Sequence, residues 1–490
     1  MRVRIITLLP LVLFLGCARP GPGGDGGTGD GSESDGFFND ALDGYDASDS
    51  DESHELEDAG GDRADFSDAS DTDGSGGSDG DGSPDACAGL SACDCLKAIL
   101  DHPDRCLPER LSEIEQRALS IIEAIKAPCV FSGQAVFLYY GEAATVEVAG
   151  EFNNWMPEPM ERVCTSKLWI HGVKLNPARY EYKLVVDGTW RMDPANRAFA
   201  YDDYAANPDR KNSVVNFPES GQSHLEWWPG IISNELGNGR DIFVYVPAGY
   251  RQEEVRLYPV LYMHDGQNIF DDATCCFGHG GWQVNLTADK EIAAGRVSPF
   301  FVIGIANTEQ RPDEYTPCVD YSRPEPFGGK AEAYERFVLE TVIPMMESAY
   351  RIDPQARALA GSSMGGNISM FIGLRHPELF RNGLGSLSGA FWVCQEAHQA
   401  VRDQVSALSG RLDLPIYLDS GGDPQTNEDG AADTLEVRQL LQSKGFTVFD
   451  AQLDQPCDEN FDVCYHLEPG ALHNESAWRE RVWRMIRFLM

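Results

Sequence analysis

Arg357-Ala358-Leu359-Ala360-Gly361-Ser362-Ser363-Met364-Gly365-Gly366 is the stretch that decides how this chain folds. Its first four residues read as the end of a short apolar strand, and the apolar run that follows, through Leu374, reads as a helix. Between them stands Gly-x-Ser-x-Gly. A sharp strand-to-helix turn needs residues without a Cβ on either side of the serine, so that the backbone can hold the hydroxyl out above a sheet. The bare motif is a weak signal, because a structural serine also fits a tight turn. The strand before it and the helix after it make it a nucleophile elbow, with Ser363 as the candidate nucleophile.

Working outward, strands and helices alternate from Trp228 onward. Ile242 to Val246, Val260 to Met263 and Phe300 to Ile305 read as short apolar strands, and Lys330 to Tyr350 has helical periodicity. This alternation predicts an α/β hydrolase domain over 228–490, a mixed, mostly parallel sheet flanked by helices. A serine at its free pKa is unreactive, so a base must activate it, and in this fold the chain order is serine, acid, histidine. His473 lies in a loop just before the last helix, which is where the base belongs; His466, in a strand-like stretch, is the runner-up. His376, at the far end of the elbow helix, is badly placed. The acid should end the strand Leu414 to Leu418, and the candidates are Asp419, Asp423, Glu428 and Asp429. Asp429 leads directly into the next helix, around Leu435 to Leu441, and Asp423 is the alternative acid. Two backbone N–H groups must face the developing oxyanion. Met364 should supply one, and the Gly266–Gln267 region after the strand to Met263 the other. His264, in the same loop, reads as an orienting residue.

With these residues in place, a family resemblance emerges over about 228–490. Tyr262-Met263-His264-Asp265-Gly266-Gln267, the elbow, Ser386-Leu387-Ser388-Gly389-Ala390-Phe391-Trp392 and His473-Asn474-Glu475-Ser476-Ala477-Trp478 resemble the esterase family that holds enterochelin esterases and family 1 carbohydrate esterases. The resemblance implies carboxylic-ester hydrolysis through an acyl-enzyme, with no metal or organic cofactor. Ser386 to Trp392 leans toward the enterochelin-type branch, and the acid loop, Gly421 to Gly430, is longer and more acidic than usual in the family.

Upstream, from 129 to 220, the hydropathy period changes to two. Thr145 to Ala149 and Tyr180 to Val186 alternate, and Asn153-Asn154 and Asp187-Gly188 punctuate them, which predicts an immunoglobulin-like β-sandwich of about 90 residues. Gly150-Glu151-Phe152-Asn153-Asn154-Trp155, Tyr182-Lys183, Val186-Asp187-Gly188-Thr189-Trp190, Asp193-Pro194 and Asn212-Ser213-Val214 resemble a glycogen-binding-type (family 48) carbohydrate-binding module. The same fold serves as an early-set domain in front of many enzymes. The resemblance makes Trp155 and Trp190 stacking faces for sugar rings, and Lys183 and Asn212 hydrogen-bond donors to hydroxyls. Flat aromatic faces suit the apolar faces of pyranoses. The competing reading is that both tryptophans wedge against the hydrolase rim and bind nothing.

Residues 86–128 are a Cys-rich segment with apolar residues at helical spacing (Leu111, Ile114, Ala118, Ile121, Ile122, Ile125), a packed collar without chemistry; Ser112 with Glu115 could form a capping box. The chain has 13 cysteines, and setting Cys17 aside leaves an even twelve. In an exported protein that favours disulfides over zinc or free thiols. Cys457 and Cys464 are close enough to clip one loop, and the cluster Cys87, Cys93, Cys95, Cys106 and Cys129 needs a partner elsewhere, with Cys164 the nearest candidate.

The N-terminus is an address. Arg2 and Arg4 precede an apolar run ending Phe14-Leu15-Gly16-Cys17, which reads as a signal peptide over 1–16. Cys17 after Leu-Gly resembles the lipobox of bacterial lipoproteins, which implies lipidation of Cys17; an ordinary signal peptide is the plainer reading. Ala18 behind it implies, by the same resemblance, the outer membrane. Residues 17–85 are an acidic Gly/Asp/Ser tether with too little apolar surface to offset the entropy of ordering. Of the net charge of −39, 21 acids against two bases lie within 18–85, and no basic stripe is left to neutralise phosphates, which excludes nucleic acid as a partner. The expected protein is a lipid-anchored serine esterase of the bacterial cell envelope. Its substrate would be a small-molecule or glycan ester, with a polysaccharide as a further partner. A surface glycan-binding lipoprotein with an inert hydrolase fold is the alternative.

Overall fold

The computed structural model describes Cys87 and residues 90–490 apart from positions 125, 132, 205, 208, 209, 254, 322, 323 and 399. The signal, Cys17 and the tether lie outside the described residues.

The strands of the C-terminal region run in the order Val448–Ala451, Val463–Leu467, Ile416–Ser420, Gly383–Leu387, Ile352–Ser362, Tyr258–His264, Phe301–Ile305, Asn238–Val246 and His224–Ser233. The first seven are parallel and the last two antiparallel, so the sheet is mixed. Helices cover both faces, which is why Phe301–Ile305, Gly383–Leu387 and Ile416–Ser420 are buried at every residue instead of alternating. On one face Tyr334, Phe337, Ile368, Phe371, Val405 and Val437 pack onto the sheet. On the other stand Val284 and Ala288 with Trp478, Val482, Met485 and Ile486 of the closing helix Glu475–Leu489. The run expected to be helical from Lys330 to Tyr350 is helical, with a π-helical stretch, Phe337–Val342, in its middle. Pro344 has no N–H and its ring crowds the carbonyl four residues back, and the wider turn accommodates it.

The sheet does not stop at the hydrolase. Ala198–Tyr201 pairs with His224–Ser233 on one side and Lys211–Asn216 on the other, so the same hydrogen-bonded ladder continues through Arg179–Val186, Val146–Gly150 and Glu158–Pro159. Facing these last strands is a separate sheet of Cys129–Phe131, Gln134–Tyr140, Leu168–Lys174 and Glu161–Arg162. Phe137 and Trp169 of that sheet share one apolar cluster with Val148, Tyr182, Leu184, Val215 and Phe217. At the junction with the hydrolase, the half-buried Glu226 accepts from Tyr350 Oη (2.6 Å) and pairs with His224 Nε2 (2.9 Å), while Trp228 Nε1 donates to Tyr350 Oη.

Two helices, Ala92–Leu100 and Pro108–Glu123, form the collar. The capping box expected at Ser112 is absent: the helix begins earlier, at Pro108, whose fixed φ suits the first helical position, so Ser112 lies inside it. Glu115 instead accepts from the backbone N–H of Lys167. All twelve cysteines of the described residues are paired. Cys87–Cys95, Cys93–Cys129 and Cys106–Cys164 staple the collar, and Cys275–Cys276, Cys318–Cys394 and Cys457–Cys464 tie hydrolase loops. Among the described residues no helix is long and apolar enough to cross a membrane.

Candidate active site

Ser363 stands at φ 53° and ψ −126°, between the strand Ile352–Ser362 and the helix Met364–Arg375. An L-residue holds such a conformation only where its surroundings over-determine it. Here Ser363 N donates to Leu387 O and its carbonyl accepts from Ala390 N, both at 2.9 Å. A Cβ on Gly361 would lie 2.6 Å from the Gly365 carbonyl carbon, and one on Gly365 2.9 Å from Asp265 Oδ2. The glycines of the motif are therefore required by close approach.

His473 precedes the closing helix, whose N-cap Asn474 accepts from Ala477 N at 3.0 Å. Its Nδ1 lies 2.6 Å from Asp429 Oδ1, so Nδ1 carries the proton donated to the carboxylate and Nε2 faces away from the acid. Asp429 itself sits at φ 54° in the short turn Glu428–Gly430, a left-handed position that turns the side chain back toward the sheet edge. Its Oδ2 accepts from Ser388 Oγ at 2.6 Å and from the Gly421 N–H. Burial pushes the Asp429 carboxyl up, but these donors and His473 outweigh it and hold the group below the usual carboxylate range. Asp423 does not join them. It is exposed, and its Oδ1 accepts from Gln425 N in its own loop. His466 is fully buried in its strand with Nδ1 on the Ala451 carbonyl, and His376 pairs with Glu335 at the far end of the elbow helix.

Behind the acid lie Ser388 and Trp478, which fall within the quoted motif segments but were given no role there, and Arg481, which lies outside them. Ser388 Oγ accepts from Trp478 Nε1 (2.9 Å) and from Arg481 Nη2 (3.0 Å) while donating to Asp429, and the Trp478 ring meets the His473 ring edge-on at 5.1 Å. A signal for Arg481 existed: it falls on the apolar stripe Trp478, Val482, Met485, Ile486, where a charge is out of pattern.

One expectation is overturned. The Gly266 N–H donates to Ile305 O at 2.8 Å, so it is spent and cannot meet an oxyanion. Gly266 is there for packing, since a Cβ would come within 2.4 Å of the Gly304 backbone. Among the described residues the Gln267 N–H has no acceptor, and the Met364 N–H, first in its helix, has no intrahelical one. The loop is braced by Asp265, whose carboxylate takes a bidentate bond from Arg311 (2.7 and 2.9 Å) and one from Asn307 Nδ2 (2.6 Å). His264 lies beneath, hydrogen-bonded to Tyr334 Oη at 2.8 Å; burial pushes its pKa down to about 3, so it is neutral. Cys318, Asp320 and Cys394 bring three donor atoms together, but the sulfurs are bonded to each other and Asp320 Oδ2 accepts from Cys394 N. The same disulfide ties the hairpin carrying exposed Tyr321 and half-buried Phe327 to the segment carrying Trp392, where Phe327 and Trp392 meet edge-on at 6.3 Å.

In the module, Trp190 is cross-strand from Val185, which puts it with Lys183 on the face opposite the core residues Tyr182, Leu184 and Val186. Its ring is 6.5 Å from that of Trp155, tilted by 35°, and Trp190 is 40% exposed. Lys183 and Asn212 are buried, and Asn212 Nδ2 donates to Glu181 Oε2 at 3.0 Å.

A mixed sheet with a serine elbow, and a histidine bound to a carboxylate in the loops around it, defines an α/β hydrolase of the ester-cleaving class. The chain belongs to the family described as "Putative esterase", whose model matches residues 233–489, and it is a carboxylic ester hydrolase. A second family model, the glycogen recognition site of AMP-activated protein kinase, matches residues 134–217. The chain is 29% identical over 266 residues to the uncharacterized protein YbbA of Bacillus subtilis, covering 53% of this chain and 96% of that one. It is 28% identical over 247 residues to an endo-1,4-beta-xylanase/feruloyl esterase of Xylanibacter ruminicola, covering 45% of this chain but only 30% of the relative. Among solved structures it is similar to the enterobactin esterase FES of Shigella flexneri, at 15% identity and a TM-score of 0.39, covering 73% of this chain and 93% of that one.

Proposed function

We propose that this chain is a lipid-anchored serine esterase in which Ser363, His473 and Asp429 form the catalytic triad. The observation that carries the reading is the 2.6 Å bond from His473 Nδ1 to a buried carboxylate in a domain whose elbow presents Ser363. Ser363 Oγ attacks the ester carbonyl while His473 Nε2 takes its proton. The proton then goes to the departing alcohol, and water, deprotonated by the same imidazole, releases the acid. Asp429 holds the imidazole in the required tautomer. The N–H groups of Met364 and Gln267 stabilise the oxyanion.

The ester is carbohydrate-linked or siderophore-like. The family-48-type module and the feruloyl esterase relative support the first, and the segment Ser386 to Trp392 the second. We read the module as an immunoglobulin-like early-set sandwich whose Trp155 and Trp190 receive sugar rings over Lys183 and Asn212; the pairing of an exposed Trp190 with a half-buried Trp155 supports this over a wedge against the hydrolase. Lipidated Cys17 and the acidic tether would hold the enzyme at the outer membrane of the cell envelope. The test is hydrolysis of p-nitrophenyl acetate by the full-length protein. Ser363→Ala and His473→Ala should each lower kcat by about 10³-fold or more, and the double variant should be scarcely worse, because triad members act as a unit. No turnover by the wild type, with polysaccharide binding intact, would instead establish a glycan-binding lipoprotein with an inert hydrolase fold.

A further inference from the structure

We propose that Arg481 and Asp419, which touch neither substrate nor nucleophile, are positioning residues that set the charge of the His473–Asp429 pair. The proposal rests on the triad reading above. Arg481 is fully buried between two buried carboxylates, with Nη2 3.3 Å from Asp419 Oδ1 and 3.8 Å from Asp429 Oδ2. Its Nε and Nη1 have no hydrogen-bond partner among the described residues, so charge rather than a full set of hydrogen bonds holds the guanidinium in place. A buried ion set of this kind is weak as a device for stability, since apolar side chains of similar volume commonly do as well or better. Its place directly behind the acid gives it a different use.

The charges count simply. Arg481 carries +1, and Asp419 and Asp429 carry −1 each. With neutral His473 the group has one net negative charge. When the imidazole has taken the proton of Ser363, the group is neutral. The buried Arg484, on the Tyr417 side of Asp419, adds a positive charge of its own, so what matters is the sign each residue brings: Asp419 favours the imidazolium and Arg481 opposes it, and inside the protein each such charge is worth more than in water. Removing Asp419 should make proton acceptance by His473 harder. Removing Arg481 should hold the proton on His473 too firmly.

The other titratable groups around the set are accounted for by their contacts. Tyr417 donates its hydroxyl to Asp419 Oδ2 at 2.8 Å, and Arg484, a turn beyond Arg481, donates Nε to the Gln455 carbonyl and keeps its positive charge, which is the same in every variant compared below. His466 and Tyr465 come from the next strand in register with Asp419 and Leu418, and burial lowers the pKa of His466 and raises that of Tyr465. Glu475, at the start of the closing helix, accepts from Asn268 and feels His279; burial raises its pKa. Ser388 and Trp478, which touch Asp429 and His473, are neutral.

The test is the pH dependence of kcat/KM for a small aryl ester with Asp419→Asn, Arg481→Met and the double variant. Asp419→Asn should move the acidic limb to lower pH and Arg481→Met to higher pH, each by about one unit, as expected for one nearby charge. The double variant restores the original net charge and should bring the limb back toward wild type. If Arg481→Met does not fold, because two carboxylates are left facing each other, Asp419→Asn and the double variant still carry the comparison. Folded variants whose profiles superimpose on wild type, with only a uniform loss of rate, would overturn the proposal. Failure of the triad reading itself would show separately, as turnover surviving in Ser363→Ala and His473→Ala.

Discussion

The two acids left open by spacing differ by one contact. Asp429 bonds to His473 and Asp423 bonds to its own loop. Asp429→Asn should therefore lower kcat by about 10³- to 10⁴-fold, as loss of the orienting carboxylate does in other triads, with little change in KM. Asp423→Asn should leave kcat within about twofold of wild type, since surface changes away from a site seldom matter much. Steady-state kinetics on an aryl ester decide, and equal losses in both would remove Asp429 from the proposed role. Ser363 was legible because its chemistry needs a local motif. Asp429 was legible only as the favoured of two, because a left-handed turn aims its side chain, and the carboxylates of that loop look alike in one dimension. Gly266 taught the converse: a glycine in the right loop suggested a free N–H, whereas its hydrogen is already given to Ile305.

At the scale of elements, the module offers two checks. Trp190 stands on a three-residue strand with its side chain on the outer face, so Trp190→Ala should spare folding. It should weaken retention on an α-glucan, because the flat apolar face that would receive a pyranose is gone, while aryl-ester turnover stays unchanged. A joint fall in melting temperature and turnover, with no polysaccharide retention by wild type, would return the tryptophans to the role of a wedge. The second check is Asp193, buried where Tyr182 Oη (2.7 Å) and Ala195 N (2.9 Å) donate to it; burial pushes its pKa up to about 6. A raised carboxyl binds its proton more tightly folded than unfolded. Its contribution is therefore complete below the ordinary value of 3.8 and lost as pH rises through about 6. Wild-type stability should decline across that window by at most about 3 kcal/mol relative to Asp193→Asn, as followed by melting temperature against pH.

For the whole molecule, the continuous sheet matters most. Ala198–Tyr201 belongs to both ladders, and Phe199 packs in the hydrolase core with Leu225, Phe243 and Tyr245 while its strand pairs with the module. Module and hydrolase are thus joined by backbone hydrogen bonds and shared core, in contrast to domains connected only by a linker. The proposed lipid anchor at Cys17 is tested at this scale. Cys17→Ser should give a folded enzyme with unchanged aryl-ester turnover that leaves the membrane fraction for the soluble one. Unchanged membrane retention would mean that the folded part binds the membrane by itself.

By itself the sequence determined the mixed α/β architecture, the elbow serine and the module. Apolar runs, period-two alternation and glycine spacing are local and follow directly from what a strand, a helix or a sharp turn must bury or avoid. It also brought Cys457 to Cys464 and Cys164 to the N-terminal cysteine cluster, because a short loop and an odd cysteine leave few partners, while the structure alone chose Cys106 as the one that Cys164 joins. Only the tertiary structure decided which carboxylate meets His473, that Gly266 has no N–H to offer, and that one sheet runs through module and hydrolase. It alone placed Arg481 between Asp419 and Asp429. Those are contacts between residues dozens of positions apart, made by side chains and N–H groups whose direction is set by the packed sheet and helices.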